Sequence, residues 1–212
     1  MDDIVKQAMA RWPNVPNAYG WLALDRRGQW RLRNEFAQEH GLSGDPIRHE
    51  ALIHFIERNY THDARGAWFF QNGPQRVFVA LGYAPWIVRM HDGALATTTG
   101  RPFSVTACHA DEHGNVLLAG TVEGLEDRDG DGDGDGDGDG DGDGAPVQAA
   151  LLHDHDLDAF SSTCTWHGEA CGAALGVFHH AGRDFDIEPI AEDEVPTRFG
   201  FVRAPAPEAE AG

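Results

Sequence analysis

Between residues 66 and 90 the chain reads GAWFFQNGPQRVFVALGYAPWIVRM, its densest run of apolar and aromatic positions. Val77, Val79 and Leu81 alternate with Arg76, Phe78 and Ala80, the period of two that a strand imposes on its side chains. Trp68, Phe69 and Phe70 precede a turn at Asn72-Gly73-Pro74, and Trp86, Val88 and Met90 resume the alternation after a second glycine-containing break. The stretch predicts a three-stranded antiparallel meander that forms a core and carries no catalytic signature.

The flanking pattern adds two helices and more strands. Ile4, Val5, Ala8, Met9 and Trp12 fall on one helical face over residues 2–12, with Pro13 and Pro16 as the stop. Asp45 as cap and Pro46 at the first helical position predict a second helix running to Tyr60. WLALDRRGQWRLR at 21–33 reads as a hairpin, and 103–108 and 116–122 as two further strands; shorter ones are expected at 149–152, 173–179, 185–190 and 199–202. An Asp-x-x-Gly turn recurs at Asp25, Asp63 and Asp111, either as an internal repeat or because one backbone geometry selects the same residues. The expected class is α+β, mainly an antiparallel sheet of meanders and hairpins, curled or sandwich-like, with two helices in the N-terminal half. One compact domain over residues 1–203 is expected, with an alternative division near Arg101.

Residues 127–145 interrupt this pattern with DRDGDGDGDGDGDGDGDGA, which has no side chain to bury and is expected to be a disordered loop, like the tail 204–212. The tract satisfies the first half of a calcium loop in many registers but never places a Glu at the twelfth position. A weak cation sponge and a neutral low-complexity expansion stay open. Eight of the chain's acidic charges lie between Asp129 and Gly144, yet more than half of the net −19 remains without them, which disfavours nucleic acid as a partner. Three cysteines in 212 residues suit reduced thiols, no apolar run is long enough to span a bilayer, and Met1-Asp2-Asp3 is acidic where a secretory signal is basic. These features point to the cytoplasm and away from membranes.

Two sets of residues carry candidate chemistry. Cys164, His167 and Cys171 have the residue types and close spacing of zinc ligands, with His153, His155, His179 and Cys108 as sources of a fourth, but no pattern selects one. Buried cysteines and surface histidines account for the same residues, and no cofactor is assigned. His153 and His155 alternate with Asp154, Asp156 and Asp158, as a metal-binding strand face or as a charged, solvated edge. Ser161-Ser162 lacks a Gly-x-Ser-x-Gly elbow, and no phosphate-binding Gly-x-x-x-x-Gly-Lys occurs. The other set is a candidate binding surface of Arg31, Arg76 and Arg89 with Trp30 and Trp68, residue types that dominate interface hot spots. The alternative is a tryptophan core covered by arginine stems.

MDDIVKQAMARWPNVPNAYGWLALDRRGQWRLRN and RNYTHDARGAWFFQNGPQRVFVAL resemble a family of bacterial proteins catalogued as a domain of unknown function, more loosely through ADEHGNVLLAGTVEG and ALLHDHDL. The resemblance brings no activity, cofactor or catalytic residue, and the Asp-Gly tract departs from the family's pattern. The expectation is a non-enzymatic cytoplasmic binding or accessory module for a protein or small ligand. A zinc-dependent enzyme built on the histidines and cysteines of the second half is the alternative.

Overall fold

Five short helices and fourteen strands follow one another along the residues that the computed structural model describes, 2–12, 15–125, 147–167 and 174–207. They divide into two units, Met1–Ile87 with Asp193–Gly212, and Val88–Glu192. The division falls inside a strand, well before Arg101.

In the first unit α1 (Asp3–Arg11) leads to β1 (Ala18–Leu24), β2 (Trp30–Leu32), α2 (Glu35–Glu39), β3 (Asp45–Pro46), α3 (Glu50–Arg58), β4 (Tyr60–His62), β5 (Trp68–Asn72) and β6 (Gln75–Leu81). The strands form one sheet in the order β3-β2-β1-β6-β5-β4, in which β1 and β6 run parallel. Alternation selects the main core face: Leu22, Leu24, Trp30, Trp68, Phe70, Val79 and Leu81 are all buried there. Tyr60 is the hub, with its ring 5.1 Å from Trp30, 4.7 Å from Trp68 and 5.5 Å from Trp86. Its hydroxyl donates to the Pro85 carbonyl, which satisfies the polar end of a buried ring.

Three expectations change here. The predicted meander stops after two strands, because the other neighbour of β6 is β1 and the strand holding Trp86 joins a different sheet. Asp45-Pro46 does not open a helix. Proline lacks the amide a central strand needs but fits an edge, and the pair forms β3 against β2, while α3 begins at Glu50 with the His49 ring accepting from Leu52 N–H. The N-terminal half holds three helices rather than two, since Asn34 caps the five-residue α2 by accepting from Ala37 N–H at 2.8 Å.

The second unit takes up β7 (Trp86–His91) from Val88, then β8 (Ala94–Thr97), β9 (Phe103–Ala110), β10 (Val116–Val122), β11 (Gln148–Leu152), a 3-10 turn (Asp154–Asp156), α4 (Leu157–Ser162), β12 (Cys164–Trp166), β13 (Gly176–His180) and β14 (Arg183–Pro189). Strand order is β12-β13-β14-β9-β10-β11-β7-β8, with β14 and β9 parallel. The unbroken apolar runs VLLAG and AALL are buried on both faces in β10 and β11, as central strands require. Residues 154–158 form helical turns, so the predicted alternation of His and Asp along a strand is absent. Residues 199–202 are not a strand either: α5 (Val195–Arg198) precedes them, and Val202 bridges to Ala67 in the first unit. The whole is α+β and mainly antiparallel sheet. The Asp-Gly tract lies outside the described residues.

The three Asp-x-x-Gly turns are atomically alike. One carboxylate oxygen of Asp25, Asp63 and Asp111 accepts from the amides two and four residues on, at 2.8 to 3.0 Å. The glycine amide donates to the Asp carbonyl at 3.0 Å, and the glycine takes φ of +77°, +74° and +79°, the left-handed region that side chains resist. Each turn joins antiparallel neighbours: β1 to β2, β4 to β5, β9 to β10. Backbone geometry alone therefore accounts for the recurrence. Gly66 bears a second constraint, because a Cβ there would collide with the Gly200 carbonyl.

Candidate functional site

The second face of the first unit's sheet is where arginine and aromatic side chains meet. Arg31 lies opposite Ala23, and Ala23 opposite Ala80, so Arg31 shares a face with Arg76, Phe78 and Ala80. Trp21, two residues before Ala23, points the same way and is 43% exposed. Tyr19 stacks on Phe78 with ring centroids 4.6 Å apart and planes within 2°, and the Arg76 guanidinium sits 4.8 Å over Phe69. Val202 packs against Phe69 and Phe78 at one end of this patch. Leu32, on β2, and Phe36 and Leu42, in and after α2, are exposed as well.

Of the residues expected to form a binding surface, Trp30 and Trp68 are in the core, 3% and 2% exposed. Arg31 holds its own turn: Nε donates to Asp25 Oδ2 at 2.6 Å and Nη1 to the Gly44 carbonyl. Arg89 belongs to the other unit, where Nε and Nη2 grip both oxygens of Asp156 at 2.6 and 3.0 Å. Met90 N–H donates to the same carboxylate, which Arg89 holds below its usual range. This clamp ties the turn after β11 to β7. Tyr19 and Trp21 are aromatic residues of this face outside the expected set, and Trp21, assigned to the core in the alternative of a tryptophan core, is exposed instead; the alternation of Tyr19, Trp21 and Ala23 with Leu22 and Leu24 is the signal for it.

Among the described residues no three or more of His, Cys, Asp and Glu are grouped to hold a metal ion. Cys171 lies outside those residues. The His167 ring is exposed beside the Ala174 carbonyl, while His153 is buried with Nδ1 accepting from His155 N–H. Burial lowers the pKa of His153 and keeps it neutral. Burial also pushes the Cys164 thiol up to about 11 and Cys108 to about 12, so both stay protonated, a form that neither ligates nor attacks.

A different polar set comes together on β12, β13 and β14. His179 and Asp184 are opposite one another across the last two strands, with Nδ1 2.7 Å from Asp184 Oδ1. His179 Nε2 is 2.8 Å from the Thr165 hydroxyl. In sequence His179 stands only among the sources of a fourth metal ligand, and nothing marks Thr165 or Asp184. The signal was the two-residue turn in His179-His180-Ala181-Gly182-Arg183-Asp184, which forces that pairing once both strands are accepted.

These features define a two-unit α+β protein of mainly antiparallel sheet with no helix, among the described residues, long and apolar enough to cross a membrane. The chain belongs to the family DUF2944, described as Protein of unknown function (DUF2946), which matches residues 1–206. No curated protein matches it. A solved structure, that of a DUF1285 family protein from Silicibacter pomeroyi DSS-3, is similar over 86% of each chain at 12% identity with a TM-score of 0.45.

Proposed function

We propose that the chain is a cytoplasmic binding or accessory module that meets a protein partner through the second face of the first unit's sheet. The observation that supports this reading is Trp21, a large aromatic ring left 43% exposed on the strand whose Tyr19 stacks on Phe78, and on the face that carries Arg76. Exposed tryptophan with arginine close by is what interface centres use, because each buries a large area at small entropic cost. A partner surface with an apolar centre fits it. The described cysteines, Cys108 and Cys164, are free thiols, which agrees with a reducing compartment. The competing zinc enzyme gains no support, since the described donors are scattered.

Trp21→Ala and Arg76→Ala test the reading. Both should leave the melting temperature within about 2 °C of wild type, the range of surface substitutions. Both should lose whatever protein copurifies with the wild-type chain and crosslinks to a photoreactive residue at position 21. Equal recovery by the variants, or no crosslink from position 21, would overturn it.

A further inference from the structure

We infer that Thr165, His179 and Asp184 form an activated hydroxyl that accepts an acyl group from a reactive ester or thioester, a function in the second unit independent of the surface just described. The protonation pattern follows from the acceptors. An ionised Asp184 carboxylate can only accept, so at 2.7 Å His179 Nδ1 must be the donor. In the neutral imidazole Nε2 is then left with its lone pair, and at 2.8 Å the Thr165 hydroxyl donates to it. Hydroxyl, base and orienting carboxylate are thus in the sequence that a nucleophile needs. A cross-strand His–Asp pair alone would be ordinary surface pairing; the hydroxyl on a third strand, aligned with the free lone pair, is what makes a relay.

Neighbouring hydroxyls have no such partner. Ser162 and Thr163 donate to the Ala159 and Phe160 carbonyls, and Ser161 accepts from the Trp166 indole. The relay is also held in place. Thr165 pairs with Val177 on β13, two residues from His179 and on the same face, and Ala181-Gly182, with φ of +50° and +74°, fixes the register of His179 against Asp184.

In the reaction, Thr165 Oγ1 forms a bond to the donor's carbonyl carbon while its proton passes to His179 Nε2. The imidazolium is stabilised by the Asp184 carboxylate. The bond from the carbonyl carbon to the leaving oxygen or sulfur then breaks, and that atom takes the proton from Nε2. The acyl group ends on Thr165, and no oxidant or reductant is needed. Exposure selects the substrate class: His179 is 46% and Asp184 74% exposed, so the developing oxyanion meets solvent rather than a preorganised pocket. Donors with good leaving groups, aryl esters and thioesters, are within reach; amides are not.

The test is p-nitrophenyl acetate on the full chain, followed by intact mass and peptide mapping. Lys6 is the single lysine of the sequence, so background acetylation is confined largely to it, the amino terminus and the thiols. Wild type should gain one acetyl group on the peptide containing Thr165. Thr165→Val should lose that label, His179→Gln should form it about a hundredfold more slowly, the scale of general-base catalysis, and Asp184→Asn should slow it too. All three variants should melt like wild type. Labelling of the Thr165 peptide at the wild-type rate in His179→Gln would overturn the inference. So would ester turnover that survives Thr165→Val yet needs His179, since imidazole would then be the nucleophile.

Discussion

Two glycines with the same dihedral angle separate conformational strain from steric contact. Gly114 and Gly66 both have φ near +75°, and each follows an Asp whose carboxylate closes the turn. Nothing lies near a Cβ at Gly114, whereas one at Gly66 would strike the Gly200 carbonyl and come within 2.9 Å of Phe201 Cα. Gly114→Ala should therefore cost about 1–2 kcal/mol, the left-handed penalty alone. Gly66→Ala should cost clearly more, because the Gly200–Phe201 backbone must move. Urea midpoints of the two variants check this; equal losses would mean that the segment at Gly200 yields without cost.

Among the elements, the turn after β11 depends on one carboxylate. Removing it in Asp156→Asn leaves the Arg89 guanidinium without its partner and should cost about 2–3 kcal/mol. The pH dependence has a fixed sign. Asp156 has its pKa lowered in the fold, so its contribution is complete above the unfolded value of about 4 and is lost as pH falls through the folded value. His153 is also lowered, mainly by burial, so its neutral form contributes fully above about 6.5 and loses ground below it. Melting temperatures should fall in two stages on acidification, and Asp156→Asn should shrink the lower one only, because Asp2 and Asp63 are lowered as well. Such elements were legible where period two ran between turn residues, as in β1, β6 and β9, or where a short apolar run did, as in β5 and β10. They were illegible where pairing partners decide: β3 and α3 because Asp-Pro suits an edge strand as well as a helix start, and β7 because alternation does not say which sheet a strand joins. The candidate site failed for the same reason. Thr165 and Asp184 are ordinary polar residues until register sets them beside His179, and Trp30, prominent in sequence, faces inward by a single step of alternation from Arg31.

At the scale of the molecule, the first unit is written in two pieces of chain with the second unit between them. Its C-terminal piece supplies Val195 and Phe201 to the core, the Val202 bridge to Ala67, and an Arg203 carbonyl that accepts from Leu81 N–H at 2.7 Å. Truncation after Glu192 should raise amide hydrogen exchange throughout β5 and β6 and leave β9, β10 and β11 protected; uniform loss of protection would show the units to be one cooperative body. The same discontinuity sets an order on the ribosome. Domains ordinarily fold from the N-terminus as they emerge. In this chain residues 1–87 wait with Trp68, Phe69 and Phe78 on an unfinished sheet until the piece that begins at Asp193 has emerged, while the unit encoded between them can close first.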